Sequence, residues 1–103
     1  MVADINNNSN YQSLLAIIGK NVAKYRKRKG LTQPQLANKL ELSTTFIANI
    51  ERAVSAPSLL TILDISTALN ISPCFLFQDK DILFVPKDKA YDAIISIGEF
   101  LNV

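Results

Sequence analysis

The segment of residues 31–52, LTQPQLANKLELSTTFIANIER, limits what this chain can fold into more than any other part of the sequence. Thr32 is followed three residues later by Gln35, which is the pattern of a capping box at the start of a helix. Pro34 then falls in the first turn, where its missing N–H removes a donor that has no partner inside the helix. Apolar residues continue this helix at helical spacing: Leu36, Ala37 and Leu40. The segment therefore predicts a helix that starts at about residue 33 and loses its apolar spacing after residue 40.

A second short helix is predicted after that break. Ser43 can cap it, so that the helix starts at Thr44. One side of this helix is apolar, with Ile47, Ile50 and Val54. The opposite side is mostly polar and consists of Thr44, Thr45, Ala48, Asn49 and Arg52. A small residue, Ala37, lies where the two helices must approach each other, and two short helices joined by a tight turn have helix-turn-helix geometry.

The composition excludes several classes of protein. The chain has 103 residues, of which 49% are hydrophobic, and this is enough for one small domain with a packed core. It contains no histidine and a single cysteine, Cys74, which excludes an intramolecular disulfide and the ordinary zinc sites. No apolar run approaches the ~20 residues that span a bilayer, and the first residues, MVADINNNSN, lack the pattern of a signal peptide. We expect a cytoplasmic protein with no membrane contact, no metal and no cofactor.

The net charge of +2 hides an uneven distribution along the chain. Residues 1–52 carry eight Lys and Arg against three acidic residues, a net charge of +5, whereas residues 53–103 carry three Lys against six acidic residues, a net charge of −3. A basic half joined to an acidic half suggests a polyanionic partner for the first half only. A solvated charged surface is the alternative interpretation of the same pattern.

A further helix is predicted before the motif, from about Ser13 to Lys29, with Gly30 closing it. Its apolar stripe consists of Leu14, Ile18, Val22 and Tyr25. The Asn-rich residues 1–12 are expected to form a flexible start.

Two more helices are predicted after the motif. Ser58 can cap a fourth helix that runs through Leu69, and Asn70 can stop it in the left-handed conformation. The side chains expected to face inward are Leu59, Ile62, Ile65 and Leu69. Pro73, preceded by Ser72, is expected at the first position of a short fifth helix.

The residues from 18 to 77 resemble a known family. The matching features are GLTQ at 30–33, LA at 36–37, the IANIER run at 47–52, PSL at 57–59 and ALNIS at 68–72. In their joint spacing they resemble the phage-repressor, Cro-like (XRE-type) helix-turn-helix transcriptional regulators, a family that includes the controller proteins of restriction–modification systems. The resemblance implies an all-α fold: a five-helix, lambda-repressor-like helix-turn-helix domain at residues 13–77, followed by a C-terminal helical extension at 78–103.

The resemblance also implies how individual residues act. The third helix is expected to enter the major groove of double-stranded DNA, and Arg26 is expected to pair with Glu51 and brace the first helix against the third. Three residues depart from the family pattern. Glu41 and Ala53 stand where glycine is common, and Val54 stands where a basic residue is frequent. A residue other than glycine in the left-handed conformation costs about 1–2 kcal/mol.

The residues expected to contact DNA fall into two sets. Asn49 can form two hydrogen bonds with an adenine edge, one through its amide oxygen and one through its amide nitrogen. Thr44 and Thr45 can bond bases or contact a thymine methyl group. Phe46 can contact a thymine methyl group or a sugar, although packing on the second helix is an equal alternative. The residues expected to contact phosphates, which set position rather than sequence, are Gln33, Lys24, Lys27, Lys29, Asn38 and Arg52.

A dimer is expected because one recognition helix reads only about four base pairs. From Lys87 onward the tail has a wide apolar face at helical spacing, with Ala90 among its members. The residues predicted to form the homodimer interface are Leu60, Tyr91, Ile94, Ile97 and Leu101. The alternative is that the tail helix packs back on its own domain.

An enzyme is not expected, because the sequence shows no histidine, no activated cysteine pattern, no glycine-rich phosphate loop and no carboxylate pair in a predicted cleft. No catalytic residue is therefore proposed. The competing hypothesis from another class is an antitoxin or protein-binding module of the same fold, whose C-terminal tail engages a protein partner.

Overall fold

The computed structural model describes residues 9–79 of the chain. These residues form four α-helices and one short 3-10 helix, and no strand lies among them. The elements are α1 (Ser9–Arg28), α2 (Gln33–Leu40), α3 (Thr44–Glu51), α4 (Leu59–Ala68) and the 3-10 helix (Pro73–Phe77). The all-helical fold agrees with the prediction. Within this part of the chain, no helix is both long and apolar enough to cross a membrane.

Two helices differ from their predicted form. α1 begins at Ser9 rather than at about Ser13, so residues 9–12, expected in a flexible start, are helical. Ser, Asn and Gln disfavour a helix by only a few tenths of a kcal/mol each, so a polar first turn can continue a strongly helical segment. The predicted fifth helix is the 3-10 helix, in which the Ser72 side chain accepts a hydrogen bond from the Cys74 N–H. A segment of five residues has room for very few hydrogen bonds of the α-helical type, and short connecting helices often adopt the 3-10 form instead.

The helix starts form as the sequence predicts. The Thr32 hydroxyl accepts a hydrogen bond from the Gln35 N–H at 3.2 Å, and the Gln35 side chain accepts one from the Thr32 N–H at 2.8 Å. This is a complete capping box. Ser43 caps α3 by accepting from the Phe46 N–H, and Ser58 caps α4 by accepting from the Thr61 N–H.

Each of the four described α-helices is followed within two residues by one with left-handed backbone, with φ between 55° and 71°: Gly30, Glu41, Ala53 and Asn70. The next N–H along the chain then bonds a carbonyl five residues back. Examples are Leu42 to Ala37 at 2.9 Å and Val54 to Asn49 at 2.9 Å. This arrangement is the Schellman motif, which satisfies carbonyl groups that the end of a helix leaves open. The predicted left-handed stop at Asn70 is confirmed, and Glu41 and Ala53 adopt the same conformation without being glycine.

The hydrophobic core lies between the helices and holds α3 in place. Its buried side chains come from every helix: Ile18, Val22, Leu36, Ala37, Ile47, Ile50, Ile62, Ile65, Leu69 and Leu76. Gly19 allows α1 to approach α3 closely, because a Cβ at this position would overlap the carbonyl oxygen of Ile50. The Asn21 amide, also buried, donates to the carbonyl oxygens of Leu76 and Gln78 and so ties α1 to the 3-10 helix.

The prediction that Leu59 faces inward is wrong, since its side chain is 80% exposed. Leu60 and Leu63 on the same helix are also exposed. α4 is apolar on more than one side, so its hydrophobic spacing does not determine which side is buried. Val54, assigned to the apolar side of the third helix, follows the end of α3 and is exposed as well.

Candidate nucleic-acid interface

Three of the four residues predicted to contact bases, Thr44, Thr45 and Asn49, lie on the side of α3 that faces away from the core. Ile47 and Ile50 bury the opposite side of this helix. Thr44 and Thr45 in its first turn are exposed, and Asn49, one turn later, is half-buried. Phe46 is half-buried too and packs against the core cluster. Packing therefore accounts for part of the Phe46 ring, which matches the alternative considered for this residue.

Asn49 does not stand alone on this surface. The guanidinium of Arg52 donates a hydrogen bond from Nη2 to the Asn49 Oδ1. The backbone carbonyl of Asn49 also accepts from the N–H groups of Val54 and Ser55, at 2.9 and 3.2 Å. The turn that ends α3 is thus closed directly on Asn49.

A buried ion pair connects α1 to the end of α3. Arg26 donates from Nε to Oε2 of Glu51 at 2.6 Å and from Nη2 to Oε1 at 3.0 Å. Its remaining terminal nitrogen, Nη1, donates to the carbonyl oxygen of Leu31 at 2.7 Å. The two side chains are only 9% and 7% exposed. A buried charge is tolerated when it is paired and hydrogen-bonded, and this bidentate geometry meets both conditions.

Gln33, predicted to contact a phosphate, extends this network to the start of α2. Its Nε2 donates to Oε1 of Glu51 at 2.9 Å, so Glu51 holds side chains from α1 and α2 at once. An amide NH2 group has two donor hydrogens, so one remains for a phosphate oxygen. Gln33 is also the first residue of α2, where backbone N–H groups and the helix dipole favour an anion.

The other predicted phosphate contacts are spread over several surfaces. Lys27, Lys29 and Arg52 are exposed. Asn38 is exposed as well, but it lines a groove between α2 and α4 together with Asp64.

Lys24 lies on a different side of α1 from the ion pair. Its ammonium group is 4.9 Å from the centre of the Tyr25 ring, and it lines a cavity together with Lys20 and Arg28. Two positions along a helix differ by roughly 200° in direction, so Lys24 points almost opposite to Arg26, which contacts α3. Lys24 therefore lies apart from the α3 surface, and its contact with a phosphate stays a prediction.

Of the residues predicted to form a dimer interface, the described part of the chain contains only Leu60, which is 66% exposed. Tyr91, Ile94, Ile97 and Leu101 lie outside the described residues. The same holds for most of the predicted C-terminal extension and for residues 1–8 of the predicted flexible start.

Sequence reasoning missed Gly19 and Asn21, which position α1 against α3 and against the 3-10 helix. A signal for Gly19 was present, because a glycine inside a strongly helical pattern often marks a close approach. Asn21 carried no comparable signal, since a polar residue in an amphipathic helix is ordinarily assigned to the solvent side.

Comparison with known proteins identifies the family. The helix-turn-helix family HTH_3 matches residues 22–76, which is more than half of the chain. This chain belongs to that helix-turn-helix family. The match covers all of α2, α3 and α4, together with the ion pair between Arg26 and Glu51.

Similar proteins include a phage immunity repressor and two restriction–modification controller proteins. The immunity repressor protein of Bacillus phage phi105 is 43% identical over 66 residues, which cover 64% of this chain but only 46% of the repressor. The crystal structure of the restriction–modification controller protein C.AhdI from Aeromonas hydrophila is 36% identical, with a TM-score of 0.59 over 61% of this chain and 96% of that one. The controller protein C.Esp1396I, solved as a tetramer on its natural 35 base-pair operator, is 33% identical, with a TM-score of 0.56 over 62% of this chain and 84% of that one.

Proposed function

We propose that this protein is a sequence-specific DNA-binding transcriptional regulator that acts in the cytoplasm and places α3 in the major groove. The observation that supports this most is the outward surface of α3. Thr44, Thr45 and Asn49 present hydroxyl and amide groups on one side of a helix whose other side is buried. Hydroxyl and amide side chains on a helix of this kind are suited to hydrogen bonding with base edges.

The support around α3 fits the same function. A helix that reads bases must be held in a defined orientation, because each base contact depends on the position of two hydrogen-bonding atoms. The bidentate pair of Arg26 with Glu51 fixes the end of α3, and Gly19 lets α1 pack directly on its backbone. Gln33 joins this network and stands at the start of α2, where it can bind a phosphate.

We also propose that the protein binds a pseudo-palindromic operator as a homodimer, because one short helix reads too few base pairs to define a site. The apolar tail residues, with Ile94, Ile97 and Leu101 among them, are the proposed interface. Leu60 on α4 is a further candidate, since it is exposed beside two other exposed leucines, Leu59 and Leu63. Exposed apolar patches of this kind often mark contacts with another protein chain.

The function is tested by selecting bound duplexes from a random DNA pool at moderate salt. We expect enrichment of one pseudo-palindromic sequence. The affinity of the protein for this sequence should fall as salt rises, and the slope of log K against log salt concentration should be about −0.9 for each phosphate neutralised. A pool that shows no enrichment above non-specific binding would contradict the proposed function.

A further inference from the structure

We infer that Arg52 is a positioning residue for base recognition: its guanidinium orients the Asn49 amide, and without it the protein discriminates poorly at the base pair that Asn49 contacts. The inference rests on the proposed function. It assigns Arg52 a role in reading sequence, in addition to the phosphate contact expected from its charge.

The hydrogen bond between the two side chains determines which way the amide points. A guanidinium has only donors, so the atom of Asn49 that faces Arg52 must be the oxygen, Oδ1. The amide nitrogen, Nδ2, then points away from Arg52. An Asn side chain otherwise has two orientations of similar energy, related by a flip about its terminal torsion angle. The bond from Arg52 favours one of them.

The backbone that carries the two side chains is held by hydrogen bonds. Asn49 lies in the last turn of α3 and Arg52, three residues later, caps the C-terminal end of this helix, so their side chains are neighbours. The Arg52 N–H bonds the Ala48 carbonyl oxygen, and the Asn49 carbonyl oxygen accepts from both Val54 and Ser55. With the backbone held on both sides, the hydrogen bond from the Arg52 guanidinium selects between the two orientations of the Asn49 amide.

The orientation of this amide matters for recognition. An adenine edge requires one acceptor, for the N6 amino group, and one donor, for N7. A flipped amide exchanges the two and presents the wrong group to each. The Asn49 oxygen has two lone pairs, so it can keep the bond from Arg52 and accept a second bond from a base. Arg52 therefore does not block Asn49 but prepares it for binding.

A residue that only contacts phosphate would act differently. Removing a phosphate contact lowers the affinity for all DNA sequences by about the same factor. A positioning residue lowers the affinity for the preferred base pair more than for the other three base pairs at the same position. The two roles are therefore separated by discrimination, which is the ratio of affinities for the preferred and the substituted duplexes.

The experiment measures affinities of the full chain for the selected duplex and for duplexes substituted at each position. Asn49→Ala defines the position that Asn49 reads. We expect Arg52→Ala to reduce discrimination at that position about tenfold, within the range of one bidentate base contact, and at no other position. In the Asn49→Ala background, Arg52→Ala should lower affinity further without any further change in discrimination.

Two controls accompany these variants. Arg28→Ala removes the same charge from the side of α1 that carries Lys24, and it should leave discrimination unchanged. Arg52→Met keeps the aliphatic stem of residue 52 without its donors. It should match Arg52→Ala in discrimination, and thermal melting will show that both variants fold.

The outcomes separate the inference from the function on which it rests. An unaltered protein that prefers no duplex overturns both. If the unaltered protein selects a duplex but Arg52→Ala weakens all duplexes equally, the function stands and the positioning role is wrong. An Asn49→Ala variant with full discrimination at every position also overturns the positioning role, since Arg52 would then have no base contact to orient.

Discussion

Gly19 of α1 lies directly against the carbonyl oxygen of Ile50, near the end of α3, and a Cβ at residue 19 would come within 2.8 Å of the Glu51 carbonyl oxygen as well. Both neighbouring atoms belong to the backbone, so neither can move away without shifting α3. The contact sets how closely the first helix supports the proposed recognition helix.

We expect Gly19→Ala to destabilise the domain by about 1–3 kcal/mol through overpacking. The sign of the change in unfolding free energy is informative, because replacing glycine by alanine at an unhindered helix position would instead stabilise the domain by up to about 1 kcal/mol. Thermal or denaturant unfolding measures the difference. A more stable Gly19→Ala variant would contradict the close approach of α1 and α3.

The buried pair of Arg26 and Glu51 gives a second prediction. Glu51→Ala should destabilise the domain by about 3–5 kcal/mol, because it leaves the Arg26 charge buried without a partner and also removes the acceptor of Gln33. The double variant Arg26→Met/Glu51→Leu should be more stable than Glu51→Ala, since it removes both charges. Denaturant unfolding of the two variants checks this. Equal losses in both would mean that the uncompensated charge is not the main cost.

The local features of this fold could be predicted from the sequence because their causes lie within a few residues. The capping box of Thr32 and Gln35 and the cap at Ser43 depend only on hydrogen bonds inside one helical turn. Contacts between helices were harder to predict. The inward assignment of Leu59 was wrong because α4 is apolar on several sides, and only the positions of its neighbours decide which side is buried.

In the candidate site, too, some features could be predicted from the sequence and others could not. The outward side of α3 could be predicted, since Ile47 and Ile50 mark the buried side by their spacing. The bond from Arg52 to Asn49 could not, because spacing shows that two side chains are neighbours but not which rotamers they adopt. The position of Lys24 could not be predicted for a related reason, as the charge pattern does not show which side of α1 faces α3.

The left-handed conformation of Glu41, with φ 56° and ψ 39°, predicts a stabilising substitution. Glu41→Gly should raise the free energy of unfolding by about 1 kcal/mol, because glycine has no Cβ penalty in this conformation. Lys39→Gly, inside α2, is the matched control and should lower it by about the same amount. Thermal unfolding of both variants distinguishes the local backbone effect from a general effect of glycine.

The proposed dimer gives a fourth prediction. Ile97→Asp should yield folded monomers, because a two-fold interface would bring two carboxylates together in an apolar contact. Sedimentation of this variant beside Leu60→Asp locates the interface. If Ile97→Asp remains a dimer of unchanged strength while Leu60→Asp dissociates, the interface lies on α4 and the proposed role of the tail is wrong.

In the proposed complex α3 reads the base sequence while Gln33 holds the DNA backbone. This division of roles is tested most directly by measuring the affinity of Asn49→Ala and Gln33→Ala for the selected duplex and for random DNA. We expect Asn49→Ala to lose about 1–3 kcal/mol on the selected duplex and little on random DNA, whereas Gln33→Ala should weaken binding to both. Equal losses on the two DNAs for Asn49→Ala would contradict base reading by α3.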